Sequence, residues 1–171
     1  DTVRYKEKNP EVNSKQLLGN RFIGMRTENI MSIDPEFGTN ICNAIMNRVI
    51  PLNINKSMKL NFDYESSVFF SWITKEEWEN CTSNPDSLIY HVDSNDIFAC
   101  VIYLSPDPDP STGTKIRMYN QERQIENVFN RLVMYKSDLT HAPCGGFGEN
   151  IDDARMTLIV FFKKIKIDLS L

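Results

Sequence analysis

What most constrains this chain is a change of texture at about residue 58. From there on it breaks into short runs that alternate apolar with polar residues or are apolar throughout, at 58–64, 67–74, 88–93, 97–104, 113–118, 131–135 and 156–167. Alternation of this kind marks half-buried strands, and a short continuous apolar run marks a strand covered on both faces. Turn-forming clusters separate the runs: Ser94-Asn95-Asp96, the Asp-Pro repeats of 105–110, and Cys144-Gly145-Gly146-Phe147-Gly148. One helix precedes them. Asp34-Pro35-Glu36 supplies a carboxylate cap, a proline for the first turn and an acid near the positive end of the dipole. Phe37, Ile41, Ile45 and Val49 then recur at helical spacing, Pro51 closes the segment, and 21–26 forms a short strand before it. The expectation is a mainly β chain, a sandwich or barrel with a helical buttress.

A length of 171 residues, 41% of them hydrophobic, suffices for one sizeable core and not for two. We therefore read 1–171 as a single domain, with 1–60 as helix-containing support and 61–171 as the β core. The net charge of −4 argues against a nucleic-acid backbone as partner. No apolar stretch is long enough to span a bilayer. Cys42, Cys81, Cys100 and Cys144 are scattered and form no Cys-x-x-Cys pair, which indicates free thiols and a cytoplasmic setting and excludes a zinc knuckle.

The chain has only two histidines. His91-Val92-Asp93 stands at the start of a strand-like segment, and residues two apart in a strand share a face, so the imidazole and the carboxylate project together. His141 follows the strand-like run at 131–135 and can complete a triangle from a neighbouring strand. Two imidazoles and one carboxylate suit Fe(II) with an open face for substrates; the alternative is two unrelated surface histidines. Arg155 opens the last apolar strand, where burial is costly unless the guanidinium meets an anion. Its planar fork fits a carboxylate, and Thr157, on the same side, can add a hydroxyl to it. The alternative is an arginine reaching to solvent at a strand end.

Taken together, these residues resemble the Fe(II)/2-oxoglutarate-dependent dioxygenases, and within them the prolyl-hydroxylase-like branch. The matching elements, in order, are His91-Val92-Asp93, Val101-Ile102-Tyr103-Leu104-Ser105, Ser111-Thr112-Gly113-Thr114, Asn130-Arg131-Leu132-Val133-Met134 before His141, and then Arg155. The resemblance covers about half the chain, roughly 88–162. It implies a double-stranded β-helix, a jelly roll of cupin-like type, with His91, Asp93 and His141 as iron ligands. It also implies that Arg155 and Tyr103 bind the distal carboxylate of 2-oxoglutarate, beside Thr157. Because Asp93 is retained where halogenating relatives lack a carboxylate, the type implied is a hydroxylase. No catalytic group beyond the metal ligands is required.

The implied partners are 2-oxoglutarate, dioxygen and a substrate that is a protein side chain, an amino acid or a small metabolite. Two other readings compete: a non-catalytic jelly-roll binding module, and a cupin-type metal enzyme without cosubstrate. The glycine-rich segment 143–152 is expected at the barrel mouth, able to close over a ligand.

Overall fold

The structure is a computed structural model that describes residues 23–49, 59–83, 90–93, 95–119 and 121–170. A single helical turn, α1 (Ile30–Ile33), capped by the Asn29 side chain, leads into α2 (Pro35–Val49). Asp34 starts α2 as its carboxylate predicts, with Oδ1 accepting the backbone N–H of Phe37 at 3.0 Å. The face that α2 buries is rotated from the expected stripe. Cys42, Ile45 and Met46 are fully covered together with Ile30 of α1, whereas Phe37 and Ile41 are only partly covered.

These helices pack on a five-stranded antiparallel sheet. Its members are β1 (Met25–Arg26), β2 (Lys59–Ile73), β3 (Phe98–Tyr103), β6 (Leu132–Lys136) and β8 (Arg155–Ser170), in the order β1-β2-β8-β3-β6. A smaller antiparallel sheet, in the order β5-β4-β7, holds β4 (Thr114–Met118), β5 (Gln121–Ile125) and β7 (His141–Pro143). The pleat divides the large sheet's side chains in two. Val68, Phe70, Cys100, Leu158, Val160 and Phe162 meet the helices. Ala99, Val101, Tyr103, Val133, Tyr135 and Phe161 face the interior with Ile116 of the small sheet. Burial on both faces explains why the central strands read as nearly continuous apolar runs. The result is a jelly-roll-like β fold with a helical buttress.

Several details differ from the sequence expectation. The runs at 58–64 and 67–74 are one strand, because nothing between them breaks a strand. The join is marked instead by a bulge, where Glu65 pairs with Lys164 and Ser66 with Phe162. The expected strands begin at residues 21, 58 and 88, and Arg21, Phe22, Met58, Leu88 and Ile89 lie outside the described residues, as do Pro51 and Ser94. An unexpected helix, α3 (Lys75–Thr82), carries a full capping box between Thr74 and Glu77. None of the described helices is long and apolar enough to cross a membrane.

The glycine-rich segment is pinned rather than loose. Gly148 accepts the N–H of Lys75, and Phe147 donates to the Ile73 carbonyl. A Cβ on Gly146 would lie 2.3 Å from the Thr74 carbonyl oxygen, so glycine is what lets this segment lie against the end of β2. Gly148 itself has φ +75, which favours glycine.

Candidate metal centre

His141 opens β7, and its backbone exchanges two hydrogen bonds with His91, at 3.0 and 2.9 Å. That pairing sets the two imidazoles side by side, with ring centroids 4.3 Å apart. Asp93 is placed by its own N–H, which donates to the Ser137 carbonyl just beyond β6. Its side chain then projects with His91, as the spacing predicts. One potential ligand atom from each of His91, Asp93 and His141 lies within 4.8 Å of the others, the one such cluster among the described residues.

The hydrogen bonds of this cluster aim one imidazole nitrogen at the carboxylate. His141 Nδ1 lies 2.9 Å from the Leu139 carbonyl oxygen, an acceptor only, so Nδ1 carries a ring proton and Nε2 is the nitrogen turned to Asp93. Nε2 stands 3.3 Å from Asp93 Oδ2, which is buried and makes no hydrogen bond. Asp93 Oδ1 is 3.8 Å from His91 Nε2. A positive charge has to sit between this nitrogen and the carboxylate, and either a second ring proton or a metal ion supplies it. The donor set of two imidazole nitrogens and one carboxylate is one that Fe(II) accepts.

The cluster lines a cavity of about 80 Å³ between the two sheets. Arg155 and Thr157, both on the interior face of β8, line the same cavity. Arg155 is only 4% exposed and pairs with no carboxylate among the described residues. Its Nε donates to the Thr112 carbonyl and one Nη to the Gly113 carbonyl, and burial lowers its pKa. Thr157 donates its hydroxyl to the Ser71 carbonyl at 3.4 Å.

Tyr103 stands one layer behind. Its hydroxyl donates to Thr114 Oγ1 at 2.8 Å, and it is Thr114 that reaches the cavity. The Tyr103 ring lies 5.8 Å from the Arg155 guanidinium carbon. Two cavity residues carried no sequence signal, Arg26 and Tyr135. The Arg26 guanidinium lies over the rings of Phe69 and Phe161, and burial pushes its pKa down to about 10 although Asp93 pulls it up.

No protein-family model matches the chain, and no curated protein matches it in sequence. Among solved structures it is similar to a Pseudomonas putida prolyl-4-hydroxylase, with a TM-score of 0.50 and 14% identity over 95% of this chain and 81% of that one. A second similar structure, from work on the prolyl 4-hydroxylases of Phytophthora capsici, has a TM-score of 0.43 and 12% identity over 72% of this chain and 39% of that one. At 14% identity, the first likeness is one of fold.

Proposed function

We propose that this protein is an Fe(II)- and 2-oxoglutarate-dependent dioxygenase of hydroxylase type. One observation carries the reading: two imidazoles converge on the buried, unbonded Oδ2 side of Asp93 in a cavity that also holds an arginine without a carboxylate partner. His91, Asp93 and His141 would hold the iron. Arg155 would hold the distal carboxylate of 2-oxoglutarate, with Thr157 beside it and Tyr103 supporting through Thr114. Iron and 2-oxoglutarate, when bound, supply the activation of dioxygen, the release of succinate and carbon dioxide, and the oxidation of the substrate.

The chain's own residues bind and orient. The Leu139 carbonyl fixes the His141 tautomer, so that Nε2 stays a donor to metal. Asp93 would supply the carboxylate ligand that halogenating relatives lack, which favours hydroxylation. Apolar walls from Val101, Ile159 and Phe161 limit water along the cavity. No acid or base is needed, in keeping with a chain whose two histidines are both committed.

The substrate is a protein side chain, an amino acid or a small metabolite. Prolyl oxidation is a candidate because the similar Pseudomonas putida structure is a prolyl-4-hydroxylase. We take residues 1–171 as one domain, and a cytoplasmic setting from the four free cysteines.

The test is metal stoichiometry followed by turnover. Purified protein should bind one Mn(II) in place of iron, His141→Ala should bind none tightly, and the iron form should release succinate from 2-oxoglutarate. Unchanged Mn(II) binding in His141→Ala would remove the assignment.

A further inference from the structure

We propose that Tyr135 donates a hydrogen bond to the metal-chelating end of the cosubstrate, and that Tyr103 does not contact the cosubstrate at all. This rests on the dioxygenase reading above. Tyr135 lies on the interior face of β6, paired across the ladder with Ala99. Its ring packs on His141, with centroids 4.7 Å apart and planes at 55°. The residue is 8% exposed and lines the cavity.

A phenol buried this deeply ordinarily finds a hydrogen-bond partner. The Tyr135 hydroxyl bonds no described residue and is not itself sealed from the cavity that its residue lines. The Tyr103 hydroxyl, by contrast, is already committed to Thr114 Oγ1. Asp93, His141, Arg155 and Tyr135 line the same cavity. A ligand held by metal at one end and by Arg155 at the other would share that cavity with the phenol. Because the ring rests on His141, the hydroxyl serves the end nearest the metal. The acceptor it suits is an anionic oxygen, the carboxylate oxygen of a 2-oxo acid.

The experiment uses the Mn(II)-loaded full chain and two probes, 2-oxoglutarate and oxalate, the second having a chelating end and no distal carboxylate. Tyr135→Phe should weaken both by about tenfold, as a hydrogen bond to a charged group implies. Its affinity for Mn(II) alone should stay within about twofold, since the ring remains on His141. Tyr103→Phe should leave oxalate affinity unchanged. The proposal is overturned if Tyr135→Phe binds both probes like wild type, if only 2-oxoglutarate weakens, or if Mn(II) affinity falls by the same factor as the probes. Wild type that takes up no Mn(II) would instead remove the functional reading, and this proposal with it. Wild type that binds Mn(II) and both probes, beside an indifferent Tyr135→Phe, removes the proposal alone.

Discussion

Arg155 performs two tasks with one guanidinium. Toward the chain it donates to the carbonyls of Thr112 and Gly113, tying the short 3-10 turn at Pro110–Thr112 to the head of β8. Toward the cavity it presents a desolvated positive charge. Lysine can keep the charge but not the fork. Arg155→Lys should therefore retain Mn(II) binding, lose about 1–3 kcal/mol of stability through a carbonyl left unbonded, and bind 2-oxoglutarate at least tenfold more weakly. Urea unfolding and calorimetric titration measure the two losses separately, and an unchanged 2-oxoglutarate affinity would make this arginine purely structural. The residues legible in the sequence are those whose spacing has a geometric consequence. His91 and Asp93 come together as their spacing suggests, although 90–93 forms no strand and only His91 makes an isolated bridge, and Arg155 stands out as a charge at the head of an apolar strand. Tyr103 could not be resolved in that way, because the partner of its hydroxyl, Thr114, comes from the other sheet. Arg26 and Tyr135 were not legible either: one sits on a two-residue strand, the other ends an apolar run like any core aromatic.

At the scale of elements, the small sheet is held by charge more than by apolar packing. Residues Gln121 to Gln124 of β5 are all exposed, which is why no apolar alternation announced this strand. Glu122 gathers its neighbours instead. Its Oε2 accepts from the Tyr90 hydroxyl at 2.7 Å and from Arg117 Nε at 3.0 Å, while Lys115 lies 3.4 Å from Oε1. The Arg117 guanidinium in turn stacks on Tyr90 at 3.6 Å. Hydrogen bonds from Tyr90 and then Arg117 lower the Glu122 pKa from 4.5 to about 2. A carboxylate whose pKa is depressed on folding contributes stability that is fully present above its unfolded value and is lost as pH falls through the folded one. Wild type should therefore be more stable than Glu122→Gln at pH 6, and the gap should close between pH 4.5 and about 2. Urea midpoints across that range measure it, and a gap that persists at low pH would assign the effect to packing. The helix α3 teaches the opposite lesson about legibility. Thr74 and Glu77 spell its capping box in the sequence, but the aromatic run before them masks the boundary.

Across the whole molecule, the candidate metal centre is where the two sheets are joined. His141 belongs to the small sheet and carries His91 on its backbone, while Asp93 is anchored to the Ser137 carbonyl at the end of a large-sheet strand. A metal ion there would take the place of the ring proton that otherwise sits between His141 Nε2 and Asp93. Asp93→Asn tests this directly, because the amide keeps the shape of the carboxylate but not its charge as a ligand. With Mn(II) at about one hundred times its dissociation constant, wild type should gain about 2.7 kcal/mol, a rise of roughly 5–11 °C for a chain of this size, and the variant should gain almost none. The gap between the two melting temperatures should therefore shift in favour of wild type on adding metal. Hydrogen exchange should place the gained protection at 90–93 and 141–143 rather than at 145–148, since that glycine-rich segment is already tied to Ile73 and Lys75. An Asp93→Asn variant that gains as much from Mn(II) as wild type does would remove the carboxylate from the ligand set, and with it the cluster's claim to hold a metal.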